Sequence, residues 1–470
     1  MKYSSLSLLF VLVLLKSFPI SAQHYEHLII YGQSLSTGQQ SWPPLSLLPV
    51  KGNYMIGSQV WSNYNNPDTT QLNPLVSTIA GDRFKDHPKA RNGQLSCECP
   101  IVGATNYIQQ KTGGKYNLIA SSCGFGGKTI EQLSKEYPDP VHYCDFLHVL
   151  QFVYSITHDV HCPAIFWMQG EYNFGQSYTS TSGMIKGTPA TSDKEQYKRY
   201  LLKLKNNMQA DVMKQYGQAD KPLFITYQAG KQYIMNRDMG ASMAQVEASN
   251  EYDDIVCAGP VYYLPDRGGH LDPNGYRWYG EMLGKVYIQT QLSGVKFRPL
   301  QPVKISRTSN PNEIEVDFLV PCLPLVFDNN LTIKCKDYGF ELYLDNQKVN
   351  ISGVSIIKNT VKLTSDKALN GIIELVYAGP GSKGKGNLRD SDLRLATSVY
   401  ENLDRKKEDG SYVYLRDSIE TSLHPFTPEP KDERGEILYN RPYLLYNFSV
   451  AFYYQVDKGI KTYNVPSLIL

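Results

Sequence analysis

Between residues 25 and 295 the chain alternates two kinds of segment, and that alternation narrows the fold more than any other feature. Five short runs, HLIIY (27–31), NLIASS (117–122), AIFWM (164–168), LFITY (223–227) and DIVCAG (254–259), are apolar and β-rich. They read as strands buried on both faces, as in a parallel sheet. Helical patterns separate them: 101–111, 144–159, the charged amphipathic stretch 193–217, SMAQVEAS (242–249) and 274–291. Strands alternating with helices predict a three-layer α/β domain with a mostly parallel sheet. In such sheets ligands bind at the carboxyl ends of the strands. After about residue 296 the pattern changes. EIEVDFLV, GFELYLDNQKV and GIIELVYAG alternate apolar and polar residues between turn signals, which predicts an antiparallel β-sandwich. The expected organisation is a leader over 1–22, an α/β domain over 23–296 and a β-rich accessory domain over 297–470.

The leader rests on Lys2, the apolar run LSLLFVLVLL and the small residues Ser21 and Ala22. This is the pattern of a secretory signal peptide cleaved near Ala22. Its apolar stretch is too short, and too soon interrupted by Lys16, for a stable membrane span. An exported chain, periplasmic, cell-surface or extracellular, without a span after cleavage is therefore expected. The formal net charge of +2 and the lack of basic runs argue against a nucleic-acid partner. Export permits disulfides among the eight cysteines, with Cys322 and Cys335 as a pairing within the accessory domain. Cys97 and Cys99 have no histidine at zinc-ligand spacing, so no metal site is expected.

Four segments follow the strand runs and carry the polar chemistry: YGQSLSTG (31–38), SSCGFGGKTIEQL (121–133), FWMQGEYNFG (166–175) and DRGGHLDPNGYRWYG (266–280). Ser34 follows the first strand beside Gly32, where a hydroxyl can face a cleft. Alone it would be a turn serine. Gly124, Gly126 and Gly127 allow backbone N–H groups to approach a ligand closely. GFGGKT matches neither phosphate-binding glycine motif. The Gln169 amide can donate to an oxyanion, and Glu171 can touch substrate or anchor the loop by a salt bridge. His270, just before a helix opening at Pro273, is the base candidate. Asp266, four residues earlier, can orient its ring, with Asp272 and Asp254 less favoured. Nucleophile, base with orienting acid, and oxyanion donors are the parts that acyl transfer to a serine requires. The long polar connections 39–96 and 172–192 leave directly from these segments and are expected to wall the cleft.

GQSL, GFGGKT, WMQGE and DRGGH resemble the successive blocks of the SGNH (GDSL-type) hydrolases, in the branch of sialate O-acetylesterases and related carbohydrate acetylesterases. The resemblance spans roughly residues 27–292. It implies a flavodoxin-like α/β/α fold, Ser34 as nucleophile and His270 as base. It further implies oxyanion donors from the Ser34 N–H, Gly126 and Gln169; Gln33 and Glu171, in the same segments, are expected against the substrate. Two positions depart from the family pattern. Leu35 stands where an asparagine is usual. The last block reads D-x-x-x-H, with Arg267 at the usual aspartate position. Asp266 can still reach the imidazole from a bulged loop. The alternatives are a serine–histidine dyad oriented by a backbone carbonyl, or lost activity.

The expected reaction is therefore cofactor-free hydrolysis of an O-acetyl ester on a carbohydrate. Two other readings stay open: a non-catalytic carbohydrate-binding or surface protein with a degenerate esterase domain, and a serine esterase or lipase of non-sugar esters. The polar loops disfavour a lipase, which needs a large apolar patch beside its site. Tyrosine abundance, 35 of 470 residues, suits sugar stacking and equally suits β-rich cores.

Overall fold

A computed structural model describes residues 24–61, 68–77, 97–174, 190–410 and 429–466. The expected leader and parts of both long connections lie outside these residues.

The five apolar runs form β1 (Tyr25–Gly32), β4 (Leu118–Ser122), β5 (Val160–Met168), β6 (Leu223–Gln228) and β7 (Ile255–Pro260), after β2 (Asn53–Ile56) and β3 (Leu72–Pro74). They join in one seven-stranded sheet in the order β3-β2-β4-β1-β5-β6-β7. All neighbours pair in parallel except β2 with β3. Leaving out β2 and β3, the order is that of a flavodoxin-type doubly wound sheet. β2 and β3 fall in the polar 39–96 connection, where no apolar run announced them.

Helices α1 (Ser34–Thr37), α2 (Pro100–Lys111), α3 (Ile130–Leu133), α4 (Val141–Ile156), α5 (Lys194–Tyr216), α6 (Gly240–Glu251) and α7 (Pro273–Tyr287) connect the strands. Local chemistry explains several starts. Asp193 caps α5 by accepting from Gln196 N, and Asp272 caps α7 by accepting from Gly275 N, with Pro273 at the first position. Thr129 and Gln132 form a capping box on α3. Helix α7 is buried on every side. It packs on α2, where Gly103 and Gly280 let the two backbones approach.

The rest is antiparallel. Strands β8 (Gln301–Arg307), β9 (Glu313–Leu319), β10 (Val326–Phe327), β11 (Phe340–Leu344), β12 (Gln347–Val349), β13 (Ile351–Ile357), β14 (Thr360–Ser365), β15 (Ile373–Tyr377), β16 (Leu388–Arg389), β17 (Leu395–Val399), β18 (Pro442–Leu444), β19 (Phe452–Val456) and β20 (Thr462–Asn464) follow in order. They build a five-stranded sheet, β13-β14-β9-β8-β20, a four-stranded sheet, β12-β11-β15-β19, and two small pairs. Phe318 of the first large sheet meets Phe452 of the second, ring centroids 6.1 Å apart. None of the eight cysteines is disulfide-bonded, so the pairing of Cys322 with Cys335 is not formed.

This β-rich part docks through buried polar contacts. The α7 side chains of Lys285, Glu281, Arg277 and Asn274 bond Asp392, Thr397, Tyr443 and Glu401. Gln228, at the end of β6, exchanges two hydrogen bonds with the Ala451 backbone.

Candidate active site

Adjacent parallel strands deliver their carboxyl ends to one edge of the sheet, and the polar segments gather there. β1 ends at Gly32, with a φ of 147°. A Cβ there would lie 2.1 Å from Met168 O, so only glycine lets β1 and β5 close so tightly. Gly124, just after β4, is needed for a similar reason: its Cβ would fall 1.9 Å from Ser36 Oγ. Phe125 N bonds Gly32 O at 2.9 Å, fixing the second block against the first.

Ser34 opens α1 and is held by its own turn. Its carbonyl accepts from the Gly38 and Gln39 N–H groups and from Thr37 Oγ1. Its Oγ lies 2.8 Å from His270 Nε2, across 236 residues of sequence. The other ring nitrogen, Nδ1, is 2.6 Å from Gln40 Oε1. An amide oxygen can only accept, so Nδ1 carries the proton and Nε2 is left to accept from the serine.

Gln40 has a left-handed φ of 66° in the turn after α1. The loop beyond it is anchored by Glu98, a buried carboxylate that accepts from the Leu45 and Ser46 N–H groups and from Ser46 Oγ. The Arg267 guanidinium donates to Trp42 O at 2.8 Å. That bond ties the loop of His270 to the loop of Gln40, giving the residue at the departing position a structural task. The orienting contact made by Gln40 was missed in sequence. A glutamine in a polar loop six residues past the serine carries no motif.

Asp266 is fully buried on the same loop as His270. Its Oδ2 meets Lys231 Nζ at 2.7 Å, and its Oδ1 accepts from Gly268 N at 3.2 Å. The less favoured acids have other partners: Asp272 caps α7, and Asp254 pairs with Lys205.

Gln169 is buried at the end of β5. Its amide nitrogen donates to Asn173 Oδ1 at 2.6 Å and to Lys128 O at 3.2 Å, and its Oε1 accepts from Tyr197 OH. Both N–H bonds of the amide are engaged, which corrects the expectation of an amide aimed at an oxyanion. Instead Gln169 joins the end of β5 to the loops before α3 and α5.

A cavity of about 130 Å³ opens at Ser34 and His270, lined also by Gln33, Leu35, Gln39, Gly127, Glu171, Tyr172, Tyr233 and Gly269. Gly127, with a φ of 71°, lines it rather than Gly126. Gln33 Oε1 faces the Gly170 and Tyr172 N–H groups at 3.4 Å each. Gln39 and Tyr172 belong to the two long connections expected to wall the cleft. Tyr233 comes from the loop after β6, which sequence reading did not single out.

Glu171 is buried, with its carboxylate accepting from Tyr227 OH and facing Gly230 N. Burial pushes its carboxyl up to about 7, against the opposing pull of Tyr227, Gly230 and Lys231. It makes no ion pair among the described contacts, unlike the salt bridge considered from sequence. His27, by contrast, is a core residue of β1 between Tyr216 OH and Ser121 Oγ, and burial lowers its imidazole to about 3.

No protein-family model matches the chain, and no curated protein sequence matches it. Its structure is similar to that of a carbohydrate acetylesterase from Xanthomonas citri, at 14% identity, with 77% of each chain covered and a TM-score of 0.48. It is similar to NanS at 13% identity, covering 58% of this chain and 98% of that one, with a TM-score of 0.41. A protein from Arabidopsis thaliana is similar at 13% identity, over 57% and 99% of the two chains, with a TM-score of 0.40. Among the described residues no helix is long and apolar enough to cross a membrane.

Proposed function

We propose that this chain is an exported serine esterase that removes O-acetyl groups from a carbohydrate, on an SGNH-type three-layer α/β/α domain followed by a β-sandwich domain. The observation that carries the proposal is the 2.8 Å contact of Ser34 Oγ with His270 Nε2 while Gln40 Oε1 holds Nδ1. In the reaction His270 takes the Ser34 proton as Oγ attacks the acetyl carbonyl. Backbone N–H groups of Ser34 and of the 126–127 turn hold the oxyanion. The imidazolium protonates the departing sugar ester oxygen, which leaves as a hydroxyl. His270 then takes a proton from water as it attacks the acetyl-Ser34 ester, releasing acetate and returning the proton to Ser34 Oγ. A glutamine oxygen fixes the tautomer as an aspartate would, but supplies only a dipole to the imidazolium.

The four sequence blocks favour a carbohydrate ester, and the polar pocket edge formed by Gln33, Gln39, Tyr172 and Tyr233 suits a hydroxyl-rich leaving group. One observation favours a second reading, a carbohydrate-binding protein with a degenerate esterase site: a neutral amide stands where a carboxylate is usual. Acetate release from 4-nitrophenyl acetate and from a panel of O-acetylated glycans separates the two. Turnover that Ser34→Ala abolishes upholds the esterase. A folded wild type that binds glycans without releasing acetate sinks it.

A further inference from the structure

We infer that the turn over residues 379–386 of the β-rich part is a positioning element for His270, acting through Lys385 and Gly384 on the Lys231–Asp266 pair. The inference rests on the esterase reading for its kinetic test and on geometry for its argument.

The loop between β7 and α7 is closed by bonds of its own and tied outward by Arg267 to Trp42 O. Arg267 N donates to His270 O at 2.8 Å, Asp272 N to Pro265 O at 3.0 Å, and Gly268 N to Asp266 Oδ1. Gly268 and Gly269 both have left-handed φ values. The buried charge of this loop, Asp266, gives it a second anchor at Lys231. The Asp266 and Lys231 side chains are 0% and 1% exposed. A pair so thoroughly desolvated holds only when its surroundings fix it on every side.

Part of that surrounding comes from beyond the α/β part. Gly384 lies against Lys231: a Cβ at 384 would sit 2.0 Å from Lys231 O, and its φ of 69° is left-handed. Both backbones are therefore pressed together where Lys231 itself takes a φ of 63°. The next residue, Lys385, is buried at 3% exposure. The charges of Asp266 and Lys231 act on its ammonium in opposite senses, the first favouring and the second opposing the protonated form, with weaker effects of Cys335 and Lys383. Asp266 is thus paired with the Lys231 ammonium of the α/β part and lies in the field of the Lys385 ammonium of the β-rich part. The turn is itself closed by Gly384 N to Gly379 O, Lys383 N to Pro380 O and Lys385 N to Ser382 O. A well-braced turn at the end of β15 therefore supports the loop that carries His270.

The test uses the full chain as wild type, Lys385→Met, Lys385→Gln and Lys385→Arg. It measures kcat and KM for 4-nitrophenyl acetate over pH 5–10, and amide hydrogen exchange at Arg267 and Gly268. The expected result for Met and Gln is a kcat lowered about tenfold or more at unchanged KM, because displacing a catalytic base by a fraction of an ångström is that costly. The Arg267 and Gly268 amides should exchange about tenfold faster. Lys385→Arg, which keeps the charge, should restore both. Burial lowers the Lys385 ammonium to about 8. Wild-type kcat should therefore fall above that pH, and the fall should be absent in Lys385→Arg. Met and Gln variants with wild-type kcat and wild-type exchange overturn the inference. Should the variants fail to fold, wild-type exchange decides: protection of these two amides lost between pH 7 and 9, after correction for intrinsic rate, supports it, and constant protection overturns it. Exchange is read without turnover, so an inactive wild type would sink the esterase reading while leaving this one decidable.

Discussion

The two parts of the molecule bury their strands in different ways. In β1, β4, β6 and β7 the strand interiors are buried on both faces. In β9 and β14 buried and half-buried residues alternate strictly. A strand covered on both sides has nowhere to put a functional side chain except at its end. The parallel sheet accordingly sends Ser34, Gly127, Glu171, Tyr233 and His270 to one edge, each on a loop leaving a different strand. The five-stranded antiparallel sheet alternates in this way at β9 and β14, while β15 of the four-stranded sheet is buried throughout, and neither sheet gathers a nucleophile–base pair among the described residues. Two surface cavities of the β-rich part, about 470 and 630 Å³, are larger than the candidate active site, yet neither holds such a pair. Volume therefore does not mark the candidate site here; strand ends do.

The sharpest way to break this contrast is at the nucleophile. Ser34→Ala should lower kcat for 4-nitrophenyl acetate by about 10⁵-fold or more with an unchanged melting temperature. Asn350→Ala, in the 470 Å³ cavity of the β-rich part, should leave kcat as it is. Comparable losses from both would dissolve the distinction.

Next in size is the orienter. Gln40→Ala should reduce kcat by about 10²–10⁴-fold, since the imidazole loses its tautomer control. Gln40→Glu should match or exceed the wild type, because a carboxylate stabilises the imidazolium better. If Gln40→Ala is silent while Asp266→Ala is crippling, Asp266 is the true partner of His270 during turnover.

The burial contrast itself can be read by denaturant unfolding. Ile29→Ala and Ile30→Ala, neighbours on opposite faces of β1, should each cost about 2–5 kcal/mol. In β9, Ile314→Ala should cost a similar amount, while its neighbour Glu315→Ala should stay within about 0.5 kcal/mol. Equal costs for Ile314 and Glu315 would mean that β9 is also covered on both faces.

The smallest effects concern pH, and two buried groups of the α/β part work in opposite directions. His27, lowered to about 3, stays neutral in the fold but charges in the unfolded chain below its ordinary 6.5. Stability from this group is lost as pH falls from 6.5 towards 3. Glu171, raised to about 7 from 4.5, holds its proton in the fold after the unfolded chain has released it. Its contribution is complete below 4.5 and lost as pH rises through 7. His27→Gln should flatten the acid side of a melting-temperature profile, and Glu171→Gln the neutral side. A profile unchanged by either substitution would show that neither group differs between the folded and unfolded states.

Every strand whose apolar run is continuous was legible in the sequence, because burial on two faces leaves a mark in composition. The HLIIY and AIFWM runs match β1 and β5 to within a few residues. β2 and β3 left no such mark, lying among serines, asparagines and prolines. At the site, Ser34 and His270 were legible because each follows a strand or opens a helix with distinctive small residues around it. Gln40 was not, since its role comes from a left-handed turn and a loop braced by Glu98, both tertiary facts. Gln169 was placed at the right strand end, but its amide was misjudged: Asn173 and Lys128 O claim its hydrogens, and no sequence pattern states which way an amide points.

Helix α7 has one more consequence. Its fifteen residues have no water-facing side. Trp278 stacks on Tyr443, 5.1 Å away, and Lys285 bonds Leu445 O and Asn447. An enzyme engineer seeking a minimal version by cutting near residue 297 would strip these partners and leave an ammonium, an indole and a carboxylate bare on one helix. The expected product is an insoluble fragment rather than a smaller working domain. Modularity visible along the chain is not modularity in the assembled molecule, and shortening this protein would require rebuilding α7 with a polar face first.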